Sequence, residues 1–261
     1  MISVKDLSFS YGPHEVLKEI TFDAVPGELL CVLGHNGAGK STLFKCMLGI
    51  LKGYSGSVTI DGSDILTMKA SEKASKVAYI PQAANPAFTY SVLDMVLMGT
   101  TPQLKGRFTP GSEEKEIAMQ AIRKLGIEDL TSRSYTKISG GEQQLVLIAR
   151  ALAQGAKILI MDEPTSSLDY GNQMRVQKQL AALRDDGYTI IQSSHNPEQT
   201  YAFADRVICI REGRVHKSGC PEEVLDDKLI RELYNIDVDM ITSKDHKARF
   251  FVFREEQSGQ E

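Results

Sequence analysis

Behind the apolar run Leu29–Leu33 the chain reads Gly34-His35-Asn36-Gly37-Ala38-Gly39-Lys40-Ser41-Thr42. This is the pattern G-x-x-x-x-G-K-[ST], placed where it has structural meaning, at the end of a buried strand. Glycines at 34, 37 and 39 let the backbone curl until successive N–H groups converge, the arrangement that cradles phosphate oxygens. Lys40 can then reach the β and γ phosphates of a nucleotide, and the Ser41 hydroxyl can ligate Mg²⁺. Leu43, Phe44, Met47 and Leu48 follow at helical spacing. They predict a helix over residues 41–49 whose positive N-terminal end faces the same anion. A glycine-rich turn before an ordinary helix is the plain alternative, and the strand before it and helix after it disfavour that reading.

With 261 residues, 42% of them hydrophobic and 25% charged, the chain can bury a substantial core and reads as globular. Its net charge of −4 argues against a broad basic surface, so no nucleic-acid partner is expected. No apolar stretch approaches the roughly 18 residues of a membrane span, and Met1-Ile2-Ser3-Val4-Lys5-Asp6 does not form a signal peptide. Cys31, Cys46, Cys209 and Cys220 form no C-x-x-C pair, and are expected as small apolar residues in a reducing cytosol. Any contact with a membrane would come through a partner.

Alternating residues Ile2, Val4 and Phe9, then Val16, Ile20 and Phe22, predict strands before the Pro26-Gly27 turn, and Val58-Thr59-Ile60 predicts another. Apolar runs at 29–33, 77–80, 158–161, 189–192 and 207–210 read as buried strands. Helical periods lie between them, as at Leu145, Ile148, Ala149 and Leu152, and at Val176, Leu180 and Leu183. Strands alternating with helices imply an α/β fold with a mainly parallel sheet and ligand sites at its carboxyl edge, joined to an N-terminal antiparallel β layer. Residues 83–153 carry no convincing strand but a charged helical run at 112–126, and read as a helical subdomain inserted in a single domain spanning 1–261. Residues 236–261 form a C-terminal extension, polar and fraying from Arg254.

Ile158-Leu159-Ile160-Met161-Asp162-Glu163 is a strand ending in two carboxylates. In a phosphate-loop ATPase the first holds Mg²⁺ and the second polarises the attacking water as general base, which assigns Asp162 to the metal and Glu163 to the water. A solvated acidic pair is the other reading of these two residues alone. Ser139-Gly140-Gly141-Glu142-Gln143-Gln144 opens a helix running to Ala153. It reads as a second anion site at a helix N-terminus and equally as a capping box of Ser139 with Glu142; the two are compatible, since the cap presents the donors.

With these motifs in order, the chain resembles an ATP-binding subunit of the ATP-binding cassette family. Gly34–Thr42 matches Walker A, residues 158–163 match Walker B with its glutamate, and Ser139-Gly140-Gly141-Glu142-Gln143 matches the family signature. Gln82 after Tyr79-Ile80-Pro81 matches the Q-loop, Ser166-Ser167-Leu168-Asp169 the D-loop, and His195 the switch histidine. Tyr11 matches the aromatic that stacks on adenine. The resemblance covers residues 1–235 and implies a phosphate-loop NTPase core that hydrolyses ATP with Mg²⁺. It implies nucleotide contacts at Tyr11, Gly34, Asn36, Gly37, Gly39, Lys40, Ser41, Thr42, Ser139, Gly140, Gly141 and Asp169. It further implies catalysis by Glu163, His195 and Gln82, with the metal at Ser41, Gln82 and Asp162. The departures from the usual signature and D-loop are Ile138, Glu142 and Ser167, and none removes a phosphate donor or the base. His14, His35, His216 and His246 have no such placement and read as ordinary.

Members of the family work as head-to-tail dimers in which Walker A of one subunit and the signature of the other enclose each nucleotide. A homodimer is therefore implied, docked on separate transmembrane permease subunits at the cytoplasmic face of the cell membrane. An extracytoplasmic substrate-binding protein would take part indirectly. The permease would dock near residues 82–106. Phe88-Thr89-Tyr90-Ser91-Val92-Leu93-Asp94-Met95-Val96-Leu97-Met98-Gly99 resembles the cassettes of metal-chelate importers, those for iron–siderophore, haem, cobalamin and related oxyanions. So do Ser194-His195-Asn196-Pro197, Ala204-Asp205-Arg206-Val207 and Gly219-Cys220-Pro221-Glu222-Glu223-Val224. The methionines there, Met95 and Met98 among them, read as core filling or as cover for a permease helix. An exporter cassette would be fused to its membrane domain, and a chromosome or repair ATPase would carry a long coiled coil between Walker A and the signature. A soluble ATPase of iron–sulfur cluster assembly is the alternative that remains.

Overall fold

The computed structural model describes residues 1–82, 89–104, 109–245 and 248–254. Its first strands bury one face each, as their alternation requires. Strand β1 (Ile2–Tyr11) pairs antiparallel with β2 (His14–Ala24), β3 (Leu29–Leu33) enters the phosphate loop, and α1 (Lys40–Met47) leaves it. After β4 (Ser55–Ile60), β5 (Ser63–Asp64) and α2 (Ala70–Lys76), β6 (Val77–Ile80) leads to Gln82. The helical stretch contributes α3 (Val92–Leu97), α4 (Ser112–Lys124) and α5 (Gly140–Ala153). Strand β7 (Ile158–Met161), α6 (Tyr170–Asp185), β8 (Thr189–Ser194), α7 (Pro197–Phe203) and β9 (Arg206–Arg211) complete the alternation. The chain closes with β10 (Arg214–Gly219), α8 (Pro221–Val224), α9 (Asp227–Tyr234), β11 (Val238–Thr242) and β12 (Arg249–Phe253).

The central sheet has the order β10-β9-β3-β8-β7-β6, parallel except for the edge strand β10. A separate antiparallel sheet, β2-β1-β4-β5, lies on one of its faces. Alternate residues of β7 enter different cores: Ile158 and Ile160 pack with the antiparallel layer and α1, Leu159 and Met161 with α3, α4 and α5. A strand buried on both faces needs a continuous apolar run, which is how 158–161 and 29–33 read. The carboxyl ends of β3, β7 and β8 therefore emerge together at one edge, carrying Gly34, Asp162 and His195.

Helices α4 and α5 lie where their periodicity predicts, and the described part of 83–153 holds no strand beyond an isolated bridge between Ser91 and Ser134. Residues 83–88, where that stretch begins, lie outside the described residues, as do 105–108, His246 and 255–261. Two expectations need correcting. Cys220 is exposed, whereas Cys31, Cys46 and Cys209 are buried. Burial pushes the Cys31 and Cys209 thiols up to about 12 and Cys46 to about 11, so these three are inert apolar residues. Arg254 is tied down rather than frayed: its N–H donates to Asp237 O at 3.0 Å and its guanidinium pairs with Asp239. Residues 238–242 and 249–253 of the extension form a hairpin, β11 paired antiparallel with β12, a feature unread in the sequence.

Candidate active site

Two glycines of the phosphate loop are needed for different reasons. Gly39 sits at φ 100° as the N-cap of α1, a conformation that a side chain would strain. Gly34 is not in the left-handed region, but a Cβ there would come within 2.7 Å of Ile210 O, so it lets β9 close on the loop. Helix α1 has no side-chain cap and no acidic residue in its first turn. By contrast Ser91, Ser139, Asp169, Asn196 and Asp226 cap α3, α5, α6, α7 and α9 through their side chains. The N–H groups at the start of α1 are thus left for an external anion. Lys40 is 5% exposed, and its Nζ donates to Gly34 O at 2.7 Å and His35 O at 3.1 Å.

Across a cleft of about 360 Å³ the phosphate loop faces the end of β7. Asn36, Gly37, Gly39, Lys40, Ser41 and Thr42 line one side, and Gln82, Asp162 and Glu163 the other. Glu163 Oε1 lies 3.5 Å from Lys40 Nζ and Oε2 3.3 Å from His195 Nδ1, so the three residues meet at one carboxylate. Glu163 adopts φ 45°, unusual for a residue with a side chain. What holds it there is Ser193, which is 1% exposed. Its hydroxyl donates to Asp162 Oδ1 at 2.7 Å and accepts the Glu163 N–H at 2.9 Å. Sequence reasoning missed this residue. Nothing local marks it: Ser193 reaches Asp162 and Glu163 because β8 pairs with β7.

Gln82 donates through Nε2 to Ser166 Oγ at 3.0 Å, joining the Q-loop to the D-loop. Gln173 Nε2 holds the D-loop from the other side through Leu168 O at 2.9 Å and Thr165 O at 3.2 Å. Of the other candidates, Gly34 and His195 are not in its walls and adjoin it through Lys40 and Glu163, and Tyr11, Ser139, Gly140, Gly141 and Asp169 are absent from its walls altogether. Tyr11 is 47% exposed and packs edge-on against Phe9 at 4.9 Å between ring centroids. Ser139 does form the capping box, with Glu142 N–H donating to its Oγ at 3.3 Å and its own N–H donating to Glu142 Oε2 at 2.8 Å. A single chain therefore assembles one wall pair of the site and presents the signature elsewhere.

The cleft suits a phosphate-bound Mg²⁺. Ser41, Gln82 and Asp162 offer hard oxygen donors, and Ser193 engages only one oxygen of Asp162. Among the described residues no group of three His, Cys, Asp or Glu side chains could hold a metal alone. A Mg²⁺ ion there would be held through the oxygens of Ser41, Gln82 and Asp162 together with phosphate and water.

The sequence profile described as ABC transporter matches residues 17–166, more than half of the chain. The chain belongs to the ABC transporter family. An uncharacterized ABC transporter ATP-binding protein of Haemophilus influenzae is 36% identical to this cassette over 241 residues, covering 92% of each chain. The hemin import ATP-binding protein HmuV of Jannaschia sp. is 33% identical over 260 residues, covering 97% of the cassette and 94% of the relative. Among solved structures, a chain from an inward-facing ABC transporter described as of metal-chelate type superposes with a TM-score of 0.84. That chain is 31% identical, and the match covers 98% of both chains. The cassette is an ATP-binding ATPase subunit, and no helix among the described residues is long and apolar enough to cross a membrane.

Proposed function

We propose that this cassette hydrolyses Mg·ATP as a homodimer on the cytoplasmic face of the membrane, powering metal-chelate import through separate permease subunits. The observation that carries the reading is the cleft itself, an uncapped helix end and Lys40 facing two strand-end carboxylates. The phosphate-loop N–H groups and Lys40 hold the β and γ phosphates, and Tyr11 stacks on adenine. Ser41, Asp162 and Gln82 would hold Mg²⁺, whose charge would neutralise the phosphates. Glu163 takes the proton of the attacking water, and His195 Nδ1, 3.3 Å from that carboxylate, orients it and the γ-phosphate. In the head-to-tail dimer that the family resemblance implies, Ser139, Gly140 and Gly141, which lie outside the cleft, act on the partner's nucleotide, with Asp169 capping the D-loop helix.

Metal-chelate import rests on the hemin relative and the metal-chelate type neighbour, both matched along nearly the whole chain including the C-terminal hairpin. Deleting the gene should abolish uptake of one of ferri-siderophore, haem or cobalamin. The cassette should also co-purify with a permease from detergent-solubilised membranes. Unaffected uptake of all three, with recovery on soluble scaffold proteins instead, would favour iron–sulfur assembly.

Ser193→Ala should lower turnover about tenfold, because it frees both Asp162 and the Glu163 backbone, with little change in ATP affinity. Ser193→Thr keeps the hydroxyl and should restore turnover. Phosphate release and equilibrium titration measure both quantities, and an unaffected alanine variant would remove Ser193 from the mechanism.

The docking segment is narrower than its composition implies. Val92, Met95 and Val96 are buried in the helical core, Met95 at 3% exposure, whereas Met98 is 40% exposed; Phe88 lies outside the described residues. Met95→Glu should lower the melting temperature by about 10 °C, the cost of a buried charge. Met98→Glu should leave stability intact and prevent assembly with the permease. Normal assembly by a stable Met98→Glu cassette would place the docking surface elsewhere.

A further inference from the structure

His195 occupies the single position between the last residue of β8, Ser194, and the N-cap of α7, Asn196. Its side chain is 48% exposed, so packing does little to fix it. Its backbone carbonyl, however, accepts a hydrogen bond from the Tyr234 hydroxyl at 3.0 Å. Tyr234 is the last residue of α9, and that helix is firmly seated. Asp226 caps it by accepting the Leu229 N–H at 2.7 Å, Lys217 Nζ pairs with the same carboxylate at 3.1 Å, and Leu229, Ile230 and Leu233 are buried.

The hairpin that follows grips the helix on the far side of the histidine. The Arg249 guanidinium lies 4.6 Å over the Tyr201 ring of α7 and donates to Glu222 O at 3.0 Å, and the Phe251 N–H donates to Glu198 Oε1 at 3.4 Å. Between hairpin and loop is an apolar cleft of about 360 Å³ with Ile230, Tyr234, Val238 and Phe251 in its walls. Burial pushes the Tyr234 phenol well above its usual range, so it keeps its proton and remains a donor.

We propose that Tyr234 is a positioning residue for His195, and that α9 with the β11–β12 hairpin straps down the loop carrying the histidine. The strap ties the C-terminal extension to hydrolysis without touching the nucleotide. The hydroxyl fixes the height of the His195 carbonyl, and with it the approach of the imidazole to Glu163 and the γ-phosphate. This inference rests on the reading of His195 as the γ-phosphate contact.

Tyr234→Phe keeps the ring and removes only the donor. With the full 261-residue chain, phosphate release at saturating Mg·ATP should fall about fivefold. In a Glu163→Gln background, ATP should bind about threefold more weakly while ADP affinity and the melting temperature stay unchanged. In a His195→Ala background the same substitution should have no further effect, because the two act as one unit. Unchanged release and unchanged ATP-over-ADP preference would overturn the proposal. So would losses that multiply with those of His195→Ala, or a melting temperature that falls together with both affinities. His195→Ala hydrolysing at the wild-type rate would instead defeat the reading of the histidine. His195→Ala impaired with Tyr234→Phe unimpaired would defeat only the strap.

Discussion

Glu163→Gln should abolish turnover and leave ATP bound. Glutamine has the same shape and reach, so its amide oxygen can still face the Lys40 ammonium, 3.5 Å from Glu163 Oε1, and its NH₂ can donate to His195 Nδ1, 3.3 Å from Oε2. What it cannot do is accept the proton of the attacking water, and loss of a positioned base costs about 10²–10⁴-fold. The unhydrolysed nucleotide should then hold the dimer closed, so the variant should appear as an ATP-dependent dimer by size-exclusion chromatography. Near-normal steady-state hydrolysis in the assembled complex would show that another group activates the water.

A second large effect separates the two halves of the site. Lys40→Ala removes a buried ammonium, which against phosphate is worth about 1.5–3 kcal/mol, or about ten- to a hundredfold in ATP affinity. Ser139→Ala should leave affinity in the isolated subunit unchanged, because Ser139 is outside the cleft that Lys40 lines, and should impair hydrolysis in the dimer. The serine also caps α5, so its loss costs about 1 kcal/mol of stability. Turnover is therefore best compared well below the melting temperature. Gly141→Asp is a poorer probe, since a Cβ at 141 would come within 2.3 Å of the Asn172 side chain in the same chain. Equal loss of monomer affinity in Lys40→Ala and Ser139→Ala would contradict an enclosed, two-subunit site.

The phosphate loop and the strand-end carboxylates were legible because strong local patterns mark them. They lie at the carboxyl ends of the unbroken apolar runs 29–33 and 158–161, and such runs fix both the strand and the edge where it ends. His195, by contrast, follows the mixed strand 189–194 and was read from the family resemblance. Ser193 was hidden because serine in a strand carries no local signal, and only the pairing of β8 with β7 brings it to Asp162 and Glu163. Gly34 reads as a source of conformational freedom, whereas its need arises from Ile210 across the sheet, a contact between residues far apart in the chain. Met95 and Met98, three apart on a short helical segment, read alike by composition and differ only in which side meets α4 and α5. The C-terminal hairpin was unread because 250–253 are apolar without alternation and Phe250, Val252 and Phe253 are exposed, so no period there sorts an inside from an outside. Tyr234 matters through one hydroxyl on a main-chain carbonyl, which no sequence spacing encodes.

The links between the D-loop and the loop of His195 are made by uncharged groups. Thr165 Oγ1 donates to Gln199 Oε1 at 3.2 Å, Gln199 bonds Gln173, and Gln173 returns to the D-loop carbonyls; Gln199 N–H in turn donates to Asn196 Oδ1 at 3.0 Å. Amides and hydroxyls neither titrate near neutrality nor attract counterions, so ionic strength and pH have no grip on this linkage. Surface ion pairs such as Arg214 with Glu19 weaken as salt rises. A movement of the segment next to Asp169 would reach the histidine loop through contacts that salt leaves intact. The two nucleotide sites of a dimer would then stay in step whatever ions the cell has accumulated.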